Sequence, residues 1–419
     1  MFRKMKATFD EFPRTFWTLI AATFIDRIGG FLLFPFFALY ITQKFGVGMT
    51  QVGVLFTIFS IGSIFGGLLG GAMTDKFGRR TMLLFGLVVS GTSSILMGLV
   101  NDLTVFYTLA GFMGIIGSAG GPAQQAMVAD LLPREKQAEG FGIIRVVMNL
   151  AATIGPAIGG LLAAQSFMLL FVADAVSSLI TAVIVYFVIP ETMPQKADDG
   201  REETITQTIG GYKTILKDWV YMAFLGVSML MVLVYMQMNS TLSVFLRDVH
   251  GFPAQQFGWL LSMNAAMVVA FQFWVTRKIS KYSPMKLMAL GTFFYGIGFG
   301  IYGFVSAIPM FFVAMAIITI GEMITSPIGQ ALVAQFAPED KRGRYMAAFG
   351  FSWVIPNTFG VLGAGLIMDY LDPNWVWYLA GILSAIAVIG FLGIHKTANA
   401  RIAVKEEVSP KVEAVALAN

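Results

Sequence analysis

The chain has 419 residues, of which 57% are hydrophobic and only 12% are charged, and its mean hydropathy is +0.74. Soluble domains carry roughly 25% charged residues, so this composition excludes an ordinary water-soluble protein and indicates a lipid environment. The formal charge is +4. The basic residues lie in short clusters between apolar blocks, which is typical of membrane-flanking cations and argues against nucleic acid binding.

Several classes of chemistry lack their usual residues. The absence of cysteine excludes disulfides, thiolate catalysis and cysteine-ligated metals. The two histidines, His250 and His395, lie at the ends of apolar blocks, so we expect neither a metal site nor catalytic residues. No G-x-x-x-x-G-K-[ST] pattern occurs, which excludes ATP hydrolysis through a P-loop. We expect no cofactor, and an intramembrane enzyme or receptor is the weakest alternative.

Twelve apolar blocks of about the length needed to cross a bilayer follow one another along the chain. The first is too long for the apolar region of a signal peptide. The fold class we predict is an all-α membrane protein with twelve transmembrane helices in two pseudo-symmetric six-helix bundles. The predicted spans are 16–42, 50–74, 81–100, 104–131, 139–164, 167–189, 219–246, 255–276, 285–305, 309–336, 343–368 and 374–394.

The longest polar stretch divides these blocks into two sets of six. We therefore predict an N-terminal bundle at 1–189, a cytoplasmic linker at 190–217, a C-terminal bundle at 218–396 and a cytoplasmic, poorly ordered tail at 397–419. Of the 28 lysines and arginines, 24 fall on the side that holds both termini and two fall on the other. This bias predicts cytoplasmic termini in an inner or plasma membrane protein.

An internal repeat relates the two halves at a constant offset of 205 in residue number. PAQQAMVADLLP at 122–133 aligns with PIGQALVAQFAP at 327–338 and matches at six of twelve positions. Glycines of predicted spans 3 and 5 also align with glycines of spans 9 and 11. Parallel repeats of this kind are typical of secondary transporters.

The loop after predicted span 2 reads GGAMTDKFGRRTML over residues 70–83. Gly71 permits close approach of a neighbouring helix, and Asp75 offers a carboxylate to a helix N-terminus or a cation. The segment resembles the loop signature of the major facilitator superfamily, G-x-x-x-D-[RK]-x-G-R-[RK]. The matching residues are Gly71, Asp75, Lys76, Gly78, Arg79 and Arg80.

That resemblance implies the major facilitator fold and a gating loop that latches the outward-open state. Asp75 would act in the latch, with Arg342 or Arg344 at the start of span 11 as its partner. The alternative for this segment is a plain basic loop that only sets topology.

Predicted span 5 contains GPAIGG, in which Gly155 and Pro156 interrupt the helix hydrogen bonding and Gly159 and Gly160 leave a smooth face. This resembles the antiporter signature of drug-exporting facilitators, although Ala151 replaces its first glycine. The alternative is a static helix contact.

Charges inside the predicted spans are costly and usually functional. Glu322 lies on a polar stripe of span 10 with Thr319, Ser326 and Gln330. A carboxylate there can take up a proton from one side and release it on the other. The surrounding sequence resembles multidrug/proton antiporters, which implies proton and substrate binding at Glu322; a structural hydrogen bond between helices is the alternative.

Span 1 carries Asp26 and Arg27, and span 5 carries Arg145. We predict proton coupling by Glu322, Asp26 and Arg145, with Asp26 as the second protonatable group that its resemblance to bacterial efflux facilitators implies. A purely structural pairing of Asp26 with Arg27 or Arg145 is the alternative.

Predicted span 7 is rich in methionine and could wrap varied apolar ligands, although such residues also serve as lipid-facing filler. The substrate cavity we predict consists of Tyr235, Gln237, Met238, Asn239, Gln125 and Ser326.

The function we expect is proton-coupled efflux of hydrophobic or amphipathic small molecules by a monomer in the lipid bilayer. Its partners would be the small-molecule substrate and protons. Uptake or exchange of a specific metabolite, and lipid flipping, are the alternatives on the same fold.

Overall fold

The computed structural model describes residues 11–193, 215–279, 281–338 and 342–416. Inside these ranges the side chains at 68, 71, 72, 75, 134, 135, 138, 342–344, 347 and 402–416 are outside the description. Throughout the described ranges the secondary structure is helical, without a β-strand. Twelve helical segments are long and apolar enough to span a membrane, as predicted.

The first six spans form the N-terminal half. Span 1 has three consecutive parts and span 4 has two, whereas the other spans are single helices. Their bounds are Arg14–Leu33, Phe34–Phe36 and Phe37–Phe45 (span 1), Met49–Phe77 (span 2), Arg79–Leu99 (span 3), Leu103–Gly117 and Gly120–Leu131 (span 4), Arg134–Gln165 (span 5) and Phe167–Val188 (span 6).

The last six spans form the C-terminal half, and span 7 consists of two helices. Their bounds are Trp219–Met236 and Thr241–His250 (span 7), Ala254–Ile279 (span 8), Pro284–Tyr302 (span 9), Ile308–Phe336 (span 10), Arg342–Tyr370 (span 11) and Trp375–Ala416 (span 12). The helix of span 12 continues to Ala416, past the predicted end of the span at 394. The poorly ordered tail at 397–419 stays a prediction. Residues 194–214 of the predicted linker lie outside the described residues.

The helices of spans 1 and 7 are interrupted at positions that correspond in the sequence repeat. Span 1 tightens into a 3-10 turn at Phe34–Phe36, where Pro35 lacks an N–H for the helix ladder. Span 7 breaks between Met236 and Thr241, at the equivalent position of the second half. Each of the two spans then ends on a glycine with positive φ, Gly46 at 62° and Gly251 at 67°, as left-handed helix C-caps require.

The chain forms two compact units that do not follow the sequence halves. The first comprises the described part of Met1–Asp199 together with Asn239–Val269 and Val361–Asp369. The second comprises the described part of Gly200–Met238, with Ala270–Gly360 and Tyr370–Asn419. The first unit therefore includes segments of spans 7, 8 and 11. The domain bounds derived from the sequence stay a prediction.

Each unit has pairs of helices that approach closely at glycine. In the first unit, a Cβ on Gly86 of span 3 would lie 3.0 Å from the Cα of Gly120 in span 4. In the second, a Cβ on Gly291 of span 9 would lie 2.9 Å from the carbonyl oxygen of Gly321 in span 10. Gly86 and Gly291 are equivalent positions of the two halves, so the repeat preserves this backbone contact.

Candidate functional site

The first candidate site lies in the second unit, where spans 7 and 10 bring Tyr235 and Glu322 together. The Tyr235 hydroxyl donates a hydrogen bond of 2.9 Å to Oε1 of Glu322. We predicted Tyr235 as a cavity residue and Glu322 as a proton-coupling residue, and the structure joins the two. Glu322 is only partly buried as a residue, so the hydrogen-bonded pair is not sealed in the protein interior.

Aromatic rings pack around Tyr235, the hydrogen-bond partner of this carboxylate. The Tyr235 ring lies 5.6 Å from the ring of Tyr295 and 6.0 Å from that of Trp353, the latter in an edge-to-face arrangement. The Tyr295 hydroxyl is 3.1 Å from Oγ1 of Thr325. Burial in an aromatic environment strengthens electrostatic interactions of the charge, because few water dipoles screen it.

The polar stripe predicted on span 10 divides into two parts. Thr319 is fully buried and donates 2.7 Å back to the carbonyl of Met315, so it serves the helix. Ser326 and Gln330 are exposed on the same span as Glu322. The accessible part of the stripe therefore runs from Glu322 towards Gln330.

The other residues of the predicted cavity occupy different environments. Gln237 is buried and donates 3.0 Å to the carbonyl of Leu233 and 3.3 Å to that of Gly360 in span 11. Met238 is buried, Asn239 is half-buried and Gln125 is exposed. Gln237 therefore ties the break in span 7 to span 11 through its side-chain amide.

In span 1, the pairing of Asp26 with Arg27, which was the structural alternative for these residues, does not form. The Ser178 hydroxyl of span 6 donates 3.0 Å to Oδ1 of Asp26. Arg27 instead donates 3.2 Å to Oε1 of Gln124, whose Nε2 donates 2.6 Å to Thr23. No described arginine or lysine pairs with Asp26.

Arg145 therefore does not pair with Asp26 either, and its side chain is exposed on span 5. Its predicted role in proton coupling has no geometric support from Asp26. It stays a prediction.

The loop between spans 2 and 3 is organised by a carboxylate that the sequence did not suggest. Glu191, just after span 6, accepts 2.8 Å from the backbone N–H of Arg79 and 3.1 Å from that of Arg80. It thereby caps the N-terminus of span 3, where the helix dipole favours negative charge. Gly78 has φ of +95°, and a Cβ there would lie 2.4 Å from Oε2 of Glu191.

The two arginines of the loop contact the ends of spans 4 and 6. Arg79 Nε lies 3.1 Å from Oδ2 of Asp130. Arg80 donates to the carbonyl of Tyr186 and lies 5.3 Å from the centre of its ring. The loop is thus bonded to neighbouring spans of its own half. The side chains of Asp75, Arg342 and Arg344, and position Gly71, are outside the description.

The glycines of span 5 are contact points. A Cβ on Gly155 would lie 2.5 Å from Cβ of Phe31, and one on Gly159 would lie 2.5 Å from the carbonyl oxygen of Leu32. These two therefore fit span 5 against span 1. Pro156 lies inside the continuous helix, so the proline does not end it.

Gly160 makes a different contact, with span 8. A Cβ on Gly258 would lie 2.5 Å from the carbonyl oxygen of Pro156 and 3.0 Å from the Cα of Gly160. The backbones of spans 5 and 8 therefore touch where both residues lack a side chain.

A second contact of the same kind is its repeat equivalent. Gly53 of span 2 and Gly365 of span 11 correspond to Gly258 and Gly160 in the internal repeat. A Cβ on Gly53 would lie 2.4 Å from the Cα of Leu362, and one on Gly365 would lie 2.4 Å from the carbonyl oxygen of Met49. We call the two contacts together the glycine seam.

Polar contacts reinforce the seam asymmetrically. Asp369 accepts 2.8 Å from the N–H of Met49 and 2.7 Å from that of Thr50, so it caps span 2. Its repeat equivalent is Ala164. Arg247 of span 7 donates 2.9 Å to Oγ1 of Thr42 in span 1. All of these contacts lie within the first unit.

At the start of span 7, Asp218 joins two further spans of the second unit. Arg401 of span 12 forms an ion pair with it, and Tyr345 of span 11 donates 2.6 Å to its Oδ2. Burial alone would raise the pKa of Asp218, but the hydrogen bonds from Arg401 and Tyr345 outweigh burial and hold that pKa below its usual range. Arg401 thus anchors the chain beyond predicted span 12.

Asp174 is an intramembrane carboxylate that the sequence reasoning missed. It lies in the first half of span 6, is 9% exposed, and accepts a hydrogen bond from Ser94 of span 3. The signal was present, since an aspartate in the apolar run FMLLFVADAVSSL is as costly as Asp26.

The Major Facilitator Superfamily model matches residues 19–353 and 250–417, which together cover most of the chain. The chain belongs to the major facilitator superfamily. It is therefore a membrane transporter and not an enzyme. A nucleoside transporter, NupG, shares the fold with a TM-score of 0.78 at 12% identity, over 91% of this chain and 100% of that chain.

Two curated relatives in this superfamily are similar over most of their length. One is a Na⁺, Li⁺, K⁺/H⁺ antiporter of Planococcus maritimus, 28% identical over 88% of this chain and 97% of the relative. Another is the multidrug resistance protein MdtH of Shigella dysenteriae serotype 1 (strain Sd197), 23% identical over 85% and 88%. A peptide transporter, POT, resembles the fold with a TM-score of 0.74 at 16% identity, over 93% of this chain and 95% of that chain.

Proposed function

We propose that this transporter exports hydrophobic or amphipathic small molecules in exchange for protons, by alternating access. The observation that carries the proposal is the hydrogen bond from Tyr235 to Glu322. It holds the carboxylate of a partly buried residue beside an aromatic ring. Such a group can be either ionised and hydrogen-bonded or protonated, and the two states bind an amphipathic cation differently.

The aromatic surroundings support an apolar substrate. Tyr235 and Trp353, which keep exposed surface, offer flat faces that accept apolar bodies of varied shape, and they attract organic cations through their π-electrons. A sugar or phosphate would need several convergent polar groups instead. The multidrug relative MdtH agrees with this substrate class.

Competition at Glu322 couples the two fluxes in this proposal. A proton that enters from one side neutralises the carboxylate and releases a cationic substrate. Deprotonation towards the other side restores the site. The substrate and the proton therefore move in opposite directions, because one carboxylate serves both.

The glycine seam supplies the moving contact in the same proposal. At Gly160 and Gly258, and at Gly53 and Leu362, the backbones touch without interlocking side chains. Such surfaces separate at little cost. The caps from Asp369 to Met49 and Thr50 hold the seam shut until substrate or proton binding favours the open state.

A second candidate is exchange of monovalent metal cations for protons, favoured by the relative from Planococcus maritimus. Asp26 is its candidate residue, since its carboxylate has a serine partner and no described cationic partner. In this alternative the transported species would be a hard cation that needs oxygen ligands, not an aromatic surface.

The two candidates are tested in proteoliposomes with an imposed pH gradient. Export of a fluorescent amphipathic cation driven by the gradient, with no effect of Na⁺, Li⁺ or K⁺ on gradient dissipation, supports drug/proton antiport. Dissipation by the metal ions without transport of any amphipathic compound supports the second candidate and contradicts the first.

A further inference from the structure

The N-terminal half contains a cavity of about 220 Å³ that the proposed function does not use. It lies among spans 1, 2, 3, 4 and 6, inside the first unit, and its wall is mostly carbon. The polar side chains that line it are Ser90, Ser94 and Asp174. The aromatic side chains that line it are Phe34, Phe37, Phe56 and Phe59.

Asp174 supplies the charge of this cavity. Its residue is 9% exposed, and the Ser94 hydroxyl donates to Oδ2. Span 1 packs against it through Gly29, where a Cβ would lie 3.0 Å from the Cα of Asp174. Asp26, one turn before Gly29, is the titratable neighbour from span 1. No described lysine or arginine forms an ion pair with Asp174.

A carboxylate in such surroundings requires a proton or a cation, because an unpaired ionised group in an apolar medium is very costly. Ser94 satisfies one oxygen and provides no positive charge. The aromatic wall favours a cation of organic character. The Phe34 and Phe56 rings meet at 5.7 Å, and Phe37 and Phe56 meet at 6.3 Å.

We propose that this cavity is a binding site for a small organic ammonium ion, with Asp174 as the counter-ion and the phenylalanines around its apolar body. Its size supports this, because an apolar cavity of about 150 Å³ holds benzene. The remaining volume accommodates a short aminoalkyl chain. Phe34 and Phe59 are 45% and 39% exposed, so a ligand can enter beside these two rings.

The site goes beyond the proposed function, since neither Tyr235 nor Glu322 lines it. A hard metal cation fits the cavity poorly, because it would need a shell of oxygen ligands where the wall is carbon. A lipid acyl chain would fill the apolar part without using Asp174. Both occupants are therefore outcomes that the experiment separates.

The experiment measures binding of 2-phenylethylammonium and of its neutral analogue 2-phenylethanol to the full-length protein in lipid nanodiscs, by calorimetry at pH 7. We expect wild-type protein to bind the ammonium ion at least tenfold more tightly than the alcohol. Asp174→Asn should remove this preference and leave the affinity for the alcohol within threefold of wild type.

Two further variants locate the site. Ala110, which lines the cavity and is 1% exposed, becomes larger in Ala110→Leu, and both ligands should lose affinity at least fivefold. Glu322→Gln should bind the ammonium ion as wild type does, whatever happens to transport. If Asp174→Asn does not fold, unchanged ammonium binding by Ala110→Leu overturns the proposal.

Three results would contradict the proposed site. One is equal affinity of wild-type protein for the two ligands, which indicates an apolar pocket for a lipid chain. Another is unchanged ammonium preference in Asp174→Asn. The third is competitive displacement of the ammonium ion by millimolar Na⁺ or Li⁺, which indicates a metal cation site.

Discussion

The hydroxyl of Tyr235 donates a 2.9 Å hydrogen bond to Glu322, so an aromatic residue of span 7 and the acidic residue of span 10 form one hydrogen-bonded pair. This contact joins span 7, the broken span of the C-terminal half, to Glu322, the charged residue within span 10. A broken helix at a binding site is common in transporters, because its free backbone groups and its flexibility serve the ligand.

Tyr235→Phe keeps the ring and removes only this hydrogen bond. We expect proton-driven transport of an amphipathic cation to fall by about tenfold or more, since hydrogen bonds to charged groups contribute about 1.5–3 kcal/mol. Uptake into inverted vesicles under a fixed pH gradient measures the effect. Tyr295→Phe is the matched control, because its hydroxyl contacts Thr325. Equal losses in both variants would assign the effect to general packing.

Asp369→Asn weakens the cap on span 2. Because Asp369 holds Met49 and Thr50 through charge-assisted hydrogen bonds, we expect the seam to open more often. Met49 is 1% exposed, and the chain has no native cysteine. A cysteine placed at Met49 should therefore react with an impermeant maleimide about three- to tenfold faster in this variant.

The matched control for that experiment is Asp372→Asn. Asp372 accepts from the N–H of Asn374 in its own turn, so labelling at Met49 should not change. Equal labelling rates in Asp369→Asn and wild type would show that the cap from Asp369 does not keep the seam closed.

Gly258→Ala tests the backbone contact of spans 5 and 8. The added Cβ would lie 2.5 Å from the carbonyl oxygen of Pro156, so the helices must separate. We expect transport to fall at least tenfold, while Gly142→Ala, where a Cβ meets nothing within 4 Å, should retain wild-type transport. The same loss in Gly53→Ala is expected from the repeat. Normal transport by Gly258→Ala would mean that the contact is incidental.

Asp218→Asn tests the cluster at the start of span 7. Burial acts to raise the pKa of Asp218, but the hydrogen bonds from Arg401 and Tyr345 outweigh it and lower that pKa. The stabilisation is therefore present above the unfolded pKa of about 3.9 and is lost as pH falls through the lower folded value. We expect the variant to lose about 1–2 kcal/mol of stability at pH 7, which allows for the partial exposure of Arg401.

Thermal unfolding in detergent between pH 7 and pH 3 measures this difference. The gap in Tm between wild type and Asp218→Asn should stay constant down to about pH 5 and narrow below about pH 4. A gap that widens on acidification would have the wrong sign for a carboxylate that is stabilised in its ionised form.

Much of the fold followed from the sequence because lipid imposes simple rules. Twelve apolar blocks predicted twelve spans, and the constant offset of the internal repeat predicted which helices correspond. The structure extends this equivalence to Gly46 and Gly251, which occupy corresponding positions and each end a helix with positive φ. Hydropathy and small residues were sufficient, since backbone hydrogen bonds in a membrane must be satisfied within each helix.

The partners of the charged residues could not be predicted. Adjacent Asp26 and Arg27 left a pairing open as an alternative, but their side chains bind Ser178 and Gln124 on different helices. Glu191 lies far along the chain from the N–H groups that it caps, and no local pattern marks such a distant contact. Continuous hydropathy also concealed the break in span 7 and the continuation of span 12 beyond its predicted end.

Glu322→Gln in proteoliposomes tests whether Glu322 couples protons to substrate movement. Two transport modes are compared for one amphipathic cation: movement driven by a pH gradient, and exchange of labelled for unlabelled substrate without a gradient. If Glu322 does so, the variant loses driven transport and no longer responds to the pH gradient, yet retains exchange at a rate within about tenfold of wild type. Undiminished gradient-driven transport by Glu322→Gln would contradict this coupling.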